Sequence, residues 1–465
     1  MQSEMMNCRL TDGSVGSHLV KLSLPMLFNI LTVVAFNLTD TYFVAQLGTN
    51  ELAAMSLTFP VIATLASLTM GLGDGAGAVV AIAIGEGNLQ KVRQLNTNGL
   101  TLSLILGIII TVIALVTINP LFSALGGKSE VLSLVKEYMG IWYLGIIFLV
   151  VSTIAMNTIR ALGEMKVLSL IVLTSSLINI VLDPLFIFGK LGFPRLELAG
   201  AAIATVISQG TILLGGLMFL RHEQLIYLTP FKLSKVWQSW GKILHLGIPA
   251  AAKNAIPPIS LGFITSMVSL YGSEAIAAFG IASRLESLVM IVFFALSAAL
   301  APIVGQNWGA KKFQRVDRAF SLSLRFCIIW GLAIAVVLAF TASGFASVFN
   351  KNTEVVAIVA KYMAIVPISY AAAGIVLIAS STFIALGKPL PSLVMTLAHT
   401  LVVYIPLAHL GKLLWGMNGI FAGACVANLI VGLGAMLWQR KTLKLGLVKG
   451  KGETKLQTPD GKRVL

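Results

Sequence analysis

The chain has 465 residues, of which 57% are hydrophobic and only 11% charged, and its formal net charge is +15. Soluble chains carry about 25% charged residues, so a water-soluble globular protein is excluded. The apolar stretches run unbroken for about twenty residues at a time, which also excludes an outer-membrane barrel, whose strands alternate over short segments.

In chain order, residues 1–17 are polar, contain no apolar core of a cleavable signal, and read as a cytoplasmic segment. Six spans follow at about 18–47, 52–84, 95–118, 132–159, 167–188 and 198–220. The first holds Pro25, which deletes one backbone hydrogen bond and marks a bending point, and Asp40, eight residues before Gly48. The second holds Asp74 among Gly71, Gly73, Gly75 and Gly77, small residues that allow close helix packing. The fourth holds Asn157, the fifth Asn179 and Asp183, and the sixth Thr205. A basic stretch over 221–242 reads as a cytoplasmic linker.

Six more spans follow at about 243–270, 275–305, 318–346, 355–384, 391–410 and 417–439. Lys253 and the pair Pro257/Pro258 interrupt the seventh, and Arg284 and Glu286 the eighth. Residues 441–465 are polar and rich in Gly and Lys, and read as a disordered tail. Basic residues gather at 221–242, at 309–318 and beyond Arg440. All three follow even-numbered spans, so the excess of positive charge places both termini in the cytoplasm and argues against a nucleic-acid-binding face. Cys8, Cys327 and Cys425 have no motif spacing, and the five histidines lack zinc-site spacing. There is no nucleotide-binding loop either, so no enzyme, cofactor or metal centre is expected, and the energy source is an ion gradient.

The two halves repeat. KLSLP (21–25) pairs with HLGIP (245–249), LGTNELAA (47–54) with YGSEAIAA (271–278), GEGNLQKV (85–92) with GAKKFQRV (309–316), and ALGEMKVLSL (161–170) with ALGKPLPSLV (385–394), all at one offset of 224 residues. An even number of spans per half gives both the same orientation in the membrane. The expected fold is therefore an all-α polytopic membrane protein of two six-helix lobes, 18–220 and 243–440. Such folds place the substrate cavity between the lobes and work by rocking one against the other.

A charge at the bilayer centre costs at least about 2.5–3.5 kcal/mol, so the intramembrane charges need a cavity or a partner. Asp183 lies six residues before Gly189 and so matches Asp40 in depth, while Asn179, four residues earlier, shares its helix face. Two carboxylates in one poorly solvated space cannot easily both ionise, so the pair can take up and release a proton; with the Asn carbonyl the same oxygens suit Na⁺. The repeat position of Asp40 is Ile264, so this site is not duplicated. Arg284 and Glu286, two residues apart, point to different faces and each needs another partner. Together with Asp74, Lys253, Thr205 and Asn157 they are candidates for substrate contact or gating.

The stretches LTDTYFVAQLG, GTNELAAMSL, RALGEMK, IALGKPLP, IASRLESL and VGQNWGAKKFQRV resemble the multidrug and toxic compound extrusion (MATE) transporters over almost the whole chain, and within them the DinF-like branch. The resemblance implies efflux of drugs and organic cations across the inner (plasma) membrane of a bacterium or archaeon, in exchange for H⁺ or Na⁺; a closed two-lobe design needs no partner, so a monomer is expected. It implies an ion site at Asp40, Asn179 and Asp183, and bending of helix 1 near Pro25. That branch also shows a hydroxyl residue early in helix 6, where this chain has Ala201, with Thr205 one turn later. The carboxylates that the NorM-like branch carries in helices 7 and 10 are missing. A flippase of the wider superfamily, moving a lipid-linked oligosaccharide or cell-wall precursor, is the alternative; it calls for a strongly cationic cavity, and only Lys253 and Arg284 supply basic charge inside the spans.

Overall fold

The structure, a computed structural model, describes residues 10–126, 129–226, 233–349 and 351–455. In chain order the helices are α1 (Val15–Ala45), α2 (Thr49–Gly85), α3 (Leu89–Ala124), α4 (Ser129–Leu162), α5 (Met165–Phe188) and α6 (Glu197–His222). They continue with α7 (Leu233–Val268), α8 (Ser273–Gly309), α9 (Phe313–Phe349), α10 (Thr353–Ala385), α11 (Pro389–Trp415) and α12 (Met417–Lys455). A 3₁₀ turn at Val366–Ser369 interrupts α10 beside Pro367, and α11 widens into a π-helix over Ala398–Tyr404. Eleven of these helices are long and apolar enough to cross a membrane. The seventh expected span does form a helix, α7, but Lys253, Asn254, Pro257 and Pro258 dilute its apolar character. The faces turned outward are aliphatic, as α3 shows with Leu104, Ile105, Ile108, Ile109, Val112 and Ile113.

The repeat is visible in the backbone as well as in the letters. Positive φ occurs at Gly163 and Gly387, at Gly192 and Gly416, and at Gly87 and Lys311, each pair 224 residues apart. The turn after the second helix of each half needs a left-handed residue, which glycine supplies without strain in the first half and lysine supplies with it in the second.

The chain forms two compact units, Leu24–Ala251 and Leu10–Ser23 together with the chain from Ala252 onward. The start of α1 groups with the second unit, and the start of α7 with the first. In the first unit α4 packs on α2, α3 and α6, and α5 on α6. The central helix α4 contributes Met139, Tyr143, Ile146, Ile154 and Ile159, all fully buried. Gly71 and Gly75 of α2 let its backbone approach Ala250, Ala251 and Gly247 of α7, while Gly73 and Gly77, on the other face, receive Asn157 and Thr153 of α4. Beside α3, Asn98 donates to Ser239 Oγ at 2.9 Å, and Trp240 Nε1 donates to the Asn98 carbonyl at 2.9 Å. Residues 233–242, expected in the linker, form the first turns of α7, anchored there; residues 227–232 lie outside the described residues.

In the second unit α10 packs on α8, α9 and α12, and α11 packs on α12, with the backbones of Gly411 and Gly419 in close approach. Leu10–Gly13 is clamped rather than loose. Gln306 accepts from Leu10 N–H, Asn307 donates to the Leu10 carbonyl, and Arg315 donates to the carbonyls of Leu10, Asp12 and Gly13. Lys312 reaches the Thr11 carbonyl and Asp12 Oδ1, the latter at 2.8 Å. At the other end α12 runs on as far as Lys455, into the segment expected as a tail. Residues 456–465 lie outside the described residues.

Candidate functional site

Within the first unit, α5 positions Asn179 and Asp183 one turn apart on its buried face. Pro184 has no N–H, so the bond it would return to the Ile180 carbonyl is missing and the helix is loosened beside Asp183. With the Asn179 amide oriented to satisfy its neighbours, its NH₂ donates to Asp183 Oδ2 at 2.9 Å and its oxygen accepts from Thr205 N–H of α6 at 3.3 Å. Asp183 and Asn179 are fully buried and Asp40 of α1 is 6% exposed. The two carboxylates lie within electrostatic reach of each other, and both act on Tyr138 of α4. Asp40, Asn179, Asp183 and Thr205 thus converge, as the sequence spacing led us to expect for the first three.

Three oxygens at this place are buried without a hydrogen-bond partner: Asp40 Oδ1, Asp183 Oδ1 and Thr205 Oγ1. Among the described residues no basic side chain forms an ion pair with either acid. A buried carboxylate without a counter-charge is costly, and the chemistry that relieves it is a proton or a small hard cation. An all-oxygen donor set of two carboxylates and a hydroxyl suits either, and its unsatisfied lone pairs leave the group ready to accept one.

The remaining candidates lie elsewhere. Asp74 faces Arg160 of α4 at 3.4 Å, with both side chains partly buried. Asn157 donates to the Thr153 carbonyl of its own helix at 2.9 Å and fills the space beside Gly73 and Gly77, so it locks α2 to α4. The Pro25 carbonyl accepts from Ser169 Oγ of α5 at 2.7 Å. In the second unit Glu286 accepts from Tyr362 OH at 2.5 Å, Lys253 is half-buried, and Arg284 is exposed.

Two features were not legible from spacing. Tyr138 needed the fold to bring it within electrostatic reach of both acids. So did a polar cluster in the second unit: Tyr370 and Tyr404 stand near Glu286, and His399 Nε2 and Asn428 Oδ1 lie 2.7 Å apart while Asn428 donates to Ser369. Only the run of tyrosines in otherwise apolar spans could have signalled it.

Two repeated helical units, with buried, unpaired acids among the described residues of the first, define a polytopic helical membrane protein. Comparison with known proteins makes this specific: the family model MatE matches residues 25–185 and 249–410, and the chain belongs to that transporter family. It is 36% identical over 425 residues to a FAD transporter of Shewanella oneidensis, covering 91% of this chain and 94% of that one. It is 26% identical to the multidrug export protein MepA of Staphylococcus haemolyticus, over 91% and 93% of the two chains. Among solved structures, the Vibrio cholerae MATE transporter VcmN in the bent form superposes with a TM-score of 0.89 at 29% identity, covering 93% of this chain and 98% of that one.

Proposed function

We propose that this transporter is a secondary antiporter that exports amphipathic organic compounds in exchange for H⁺ or Na⁺, with the ion taken up at Asp40 and Asp183. The observation that carries the reading is the pair of buried, uncompensated acids in the first unit. Binding a cation there removes negative charge from a low-dielectric site, which changes both the local packing of α1 against α5 and the attraction for a bound organic cation. Ion and substrate then exclude each other, which is the condition for exchange. Both termini face the cytoplasm in this reading, and one copy of the chain suffices.

The substrates that fit the notion of multidrug export are organic cations, which the MepA relative supports. A second reading, supported by the 36% identity to a FAD transporter, is a flavin dinucleotide. Everted vesicles carrying the wild type, Asp40→Asn or Asp183→Asn, given an imposed pH or Na⁺ gradient with ethidium and FAD as probes, test the proposal. Wild-type exchange that collapses in both variants is expected; full activity in both variants overturns the role of the acids.

A further inference from the structure

Asp40 has no acidic repeat partner, but the tyrosine within reach of it does. Tyr138–Met139 of α4 and Tyr362–Met363 of α10 lie 224 residues apart, and all four side chains are buried. In the first unit Tyr138 is within electrostatic reach of Asp40 and Asp183. In the second, Tyr362 donates to Glu286 Oε2 of α8 at 2.5 Å. The correspondence continues around the site. Asn179 of α5 and Thr205 of α6 have the repeat positions Val403 and Leu429. Their immediate neighbours, Tyr404 of α11 and Asn428 of α12, belong to the polar cluster of the second unit: Tyr404 is within electrostatic reach of Glu286, and Asn428 bonds Ser369. Only the acid comes from a different helix.

The backbone is irregular where these groups meet. α10 tightens into a 3₁₀ turn over Val366–Ser369, immediately before Tyr370, and α11 widens into a π-helix over Ala398–Tyr404, which holds His399 and Tyr404. The repeat positions of that π stretch, 174–180, lie in the α-helix of α5. Such departures persist where surrounding contacts fix them, and they gather at functional sites. Here His399 Nε2 lies 2.7 Å from Asn428 Oδ1, and Asn428 Nδ2 donates to Ser369 Oγ at 2.9 Å. Tyr370 is fully buried and its hydroxyl has no hydrogen-bond partner, although Glu286 is within electrostatic reach.

We propose that Glu286 and Tyr362 form a proton-binding site in the second unit, the counterpart of the acids in the first. The ligand is a proton rather than a metal ion. Asp40, Asp183 and Thr205 turn two carboxylates and a hydroxyl with free lone pairs to one place, whereas Glu286 is a single carboxylate among groups that carry O–H and N–H donors. A proton added to Glu286 gives the neutral acid. Tyr362 still donates to one oxygen, and the unsatisfied Tyr370 hydroxyl offers lone pairs to the new O–H. The titratable groups that face Glu286 are Tyr362 and Tyr370 of α10 and Tyr404 of α11. Beyond them α12 brings Cys425 to Ser369 and α9 buries Cys327. Lys253 of α7 is half-buried, and Arg284 of α8 and Lys361 of α10 are exposed. The inference rests on the antiport reading and deepens it: the ion at Asp40 and Asp183 stays obligatory, and the second unit takes up a proton in the same cycle.

The test uses the full-length protein in proteoliposomes. Infrared difference spectra, taken as pH is stepped, read the stretch of a protonated carboxyl, which an amide side chain lacks. In the Asp40→Asn/Asp183→Asn background, subtracting the spectra of the same protein with Glu286→Gln added is expected to leave one titrating carboxyl band, unmoved by Na⁺. Tyr362→Phe in that background keeps the acid and removes the donor that favours its ionised form, so the band shifts and its midpoint moves about one pH unit toward alkali. This variant carries the test alone if Glu286→Gln fails to assemble. With both acids of the first unit intact, Glu286→Gln lowers gradient-driven ethidium exchange several-fold. A subtraction that leaves no carboxyl band, or a band that Tyr362→Phe does not move, overturns the inference and leaves antiport at Asp40 and Asp183 standing. Wild-type exchange that ignores both pH and Na⁺ gradients, while the Glu286 band still titrates, overturns the antiport reading instead.

Discussion

Replacing Asn179 with alanine perturbs the ion site without touching either acid. Asn179 is fully buried, and its amide gives Asp183 Oδ2 the one hydrogen bond seen at that carboxylate, 2.9 Å long, while its oxygen takes the Thr205 N–H at 3.3 Å. Asp183 Oδ1 already has no partner, so the variant leaves a buried carboxylate with neither oxygen satisfied. Removing a donor to a buried charged group costs about 1.5–3 kcal/mol, the penalty of the acceptor left orphaned. Taking about 2 kcal/mol, and about 2 °C per kcal/mol for a unit of this size, the thermal midpoint in detergent drops by roughly 4 °C. The drop depends on pH in a defined way. It is largest in alkaline buffer, where the carboxylate needs the donor most, and shrinks in acid, where a protonated Asp183 no longer carries the charge. Differential scanning fluorimetry across the pH range reads this directly, alongside gradient-driven exchange, which falls at least several-fold. A midpoint and an exchange rate both unchanged at every pH would refute the assignment of Asn179 and Asp183 to one site.

Other outcomes follow from the packing. Gly71→Ala drives a methyl group into the Ala251 backbone of α7 and is expected to lower the midpoint by several degrees, as cavity-free overpacking costs about 1–3 kcal/mol, whereas Gly140→Ala, with nothing within 4 Å, leaves it in place. Tyr362→Phe removes the hydroxyl that Glu286 accepts from at 2.5 Å, and pairing it with Glu286→Gln recovers part of the loss, so a thermal double-mutant cycle gives a coupling of about 1 kcal/mol or more. At the clamp, the Lys312 ammonium holds the Asp12 carboxyl below its ordinary value of 3.8. A depressed carboxyl contributes stability above its unfolded value and loses it only as pH falls through the folded one. Asp12→Asn is therefore expected to shift the midpoint by the same small amount at about pH 5 and about pH 8; a loss confined to one of them contradicts the pairing.

Much of this architecture was legible because membranes punish irregularity. Apolar runs, glycine turns and the 224-residue offset each follow from a constraint that acts locally, and the intramembrane cost of charge singled out Asp40 and Asp183 before any geometry was known. The membership of helix halves was not legible. That α7 begins in the first unit depends on Gly71 and Gly75 meeting Gly247 and Ala251, a match of surfaces far apart in the chain. Nor was the role of Thr205, since its spacing within α6 gives no sign that its backbone N–H meets Asn179. Nor was the packing of Asn157, whose side chain fills the space that Gly73 and Gly77 of α2 leave open, a match of two helices that spacing within α4 does not reveal. The helical run of α12 as far as Lys455 was not legible either, since the glycines at 446, 450 and 452 argue against it by propensity.

The central claim is that the coupling ion is exchanged at Asp40 and Asp183. The most direct measurement is proteoliposome exchange by the wild type and by Asp40→Asn/Asp183→Asn, with the interior substrate held constant and the pH or Na⁺ gradient stepped. Substrate release that follows the gradient in the wild type and ignores it in the double variant is the predicted result. A double variant whose exchange still rises and falls with the gradient would contradict the account.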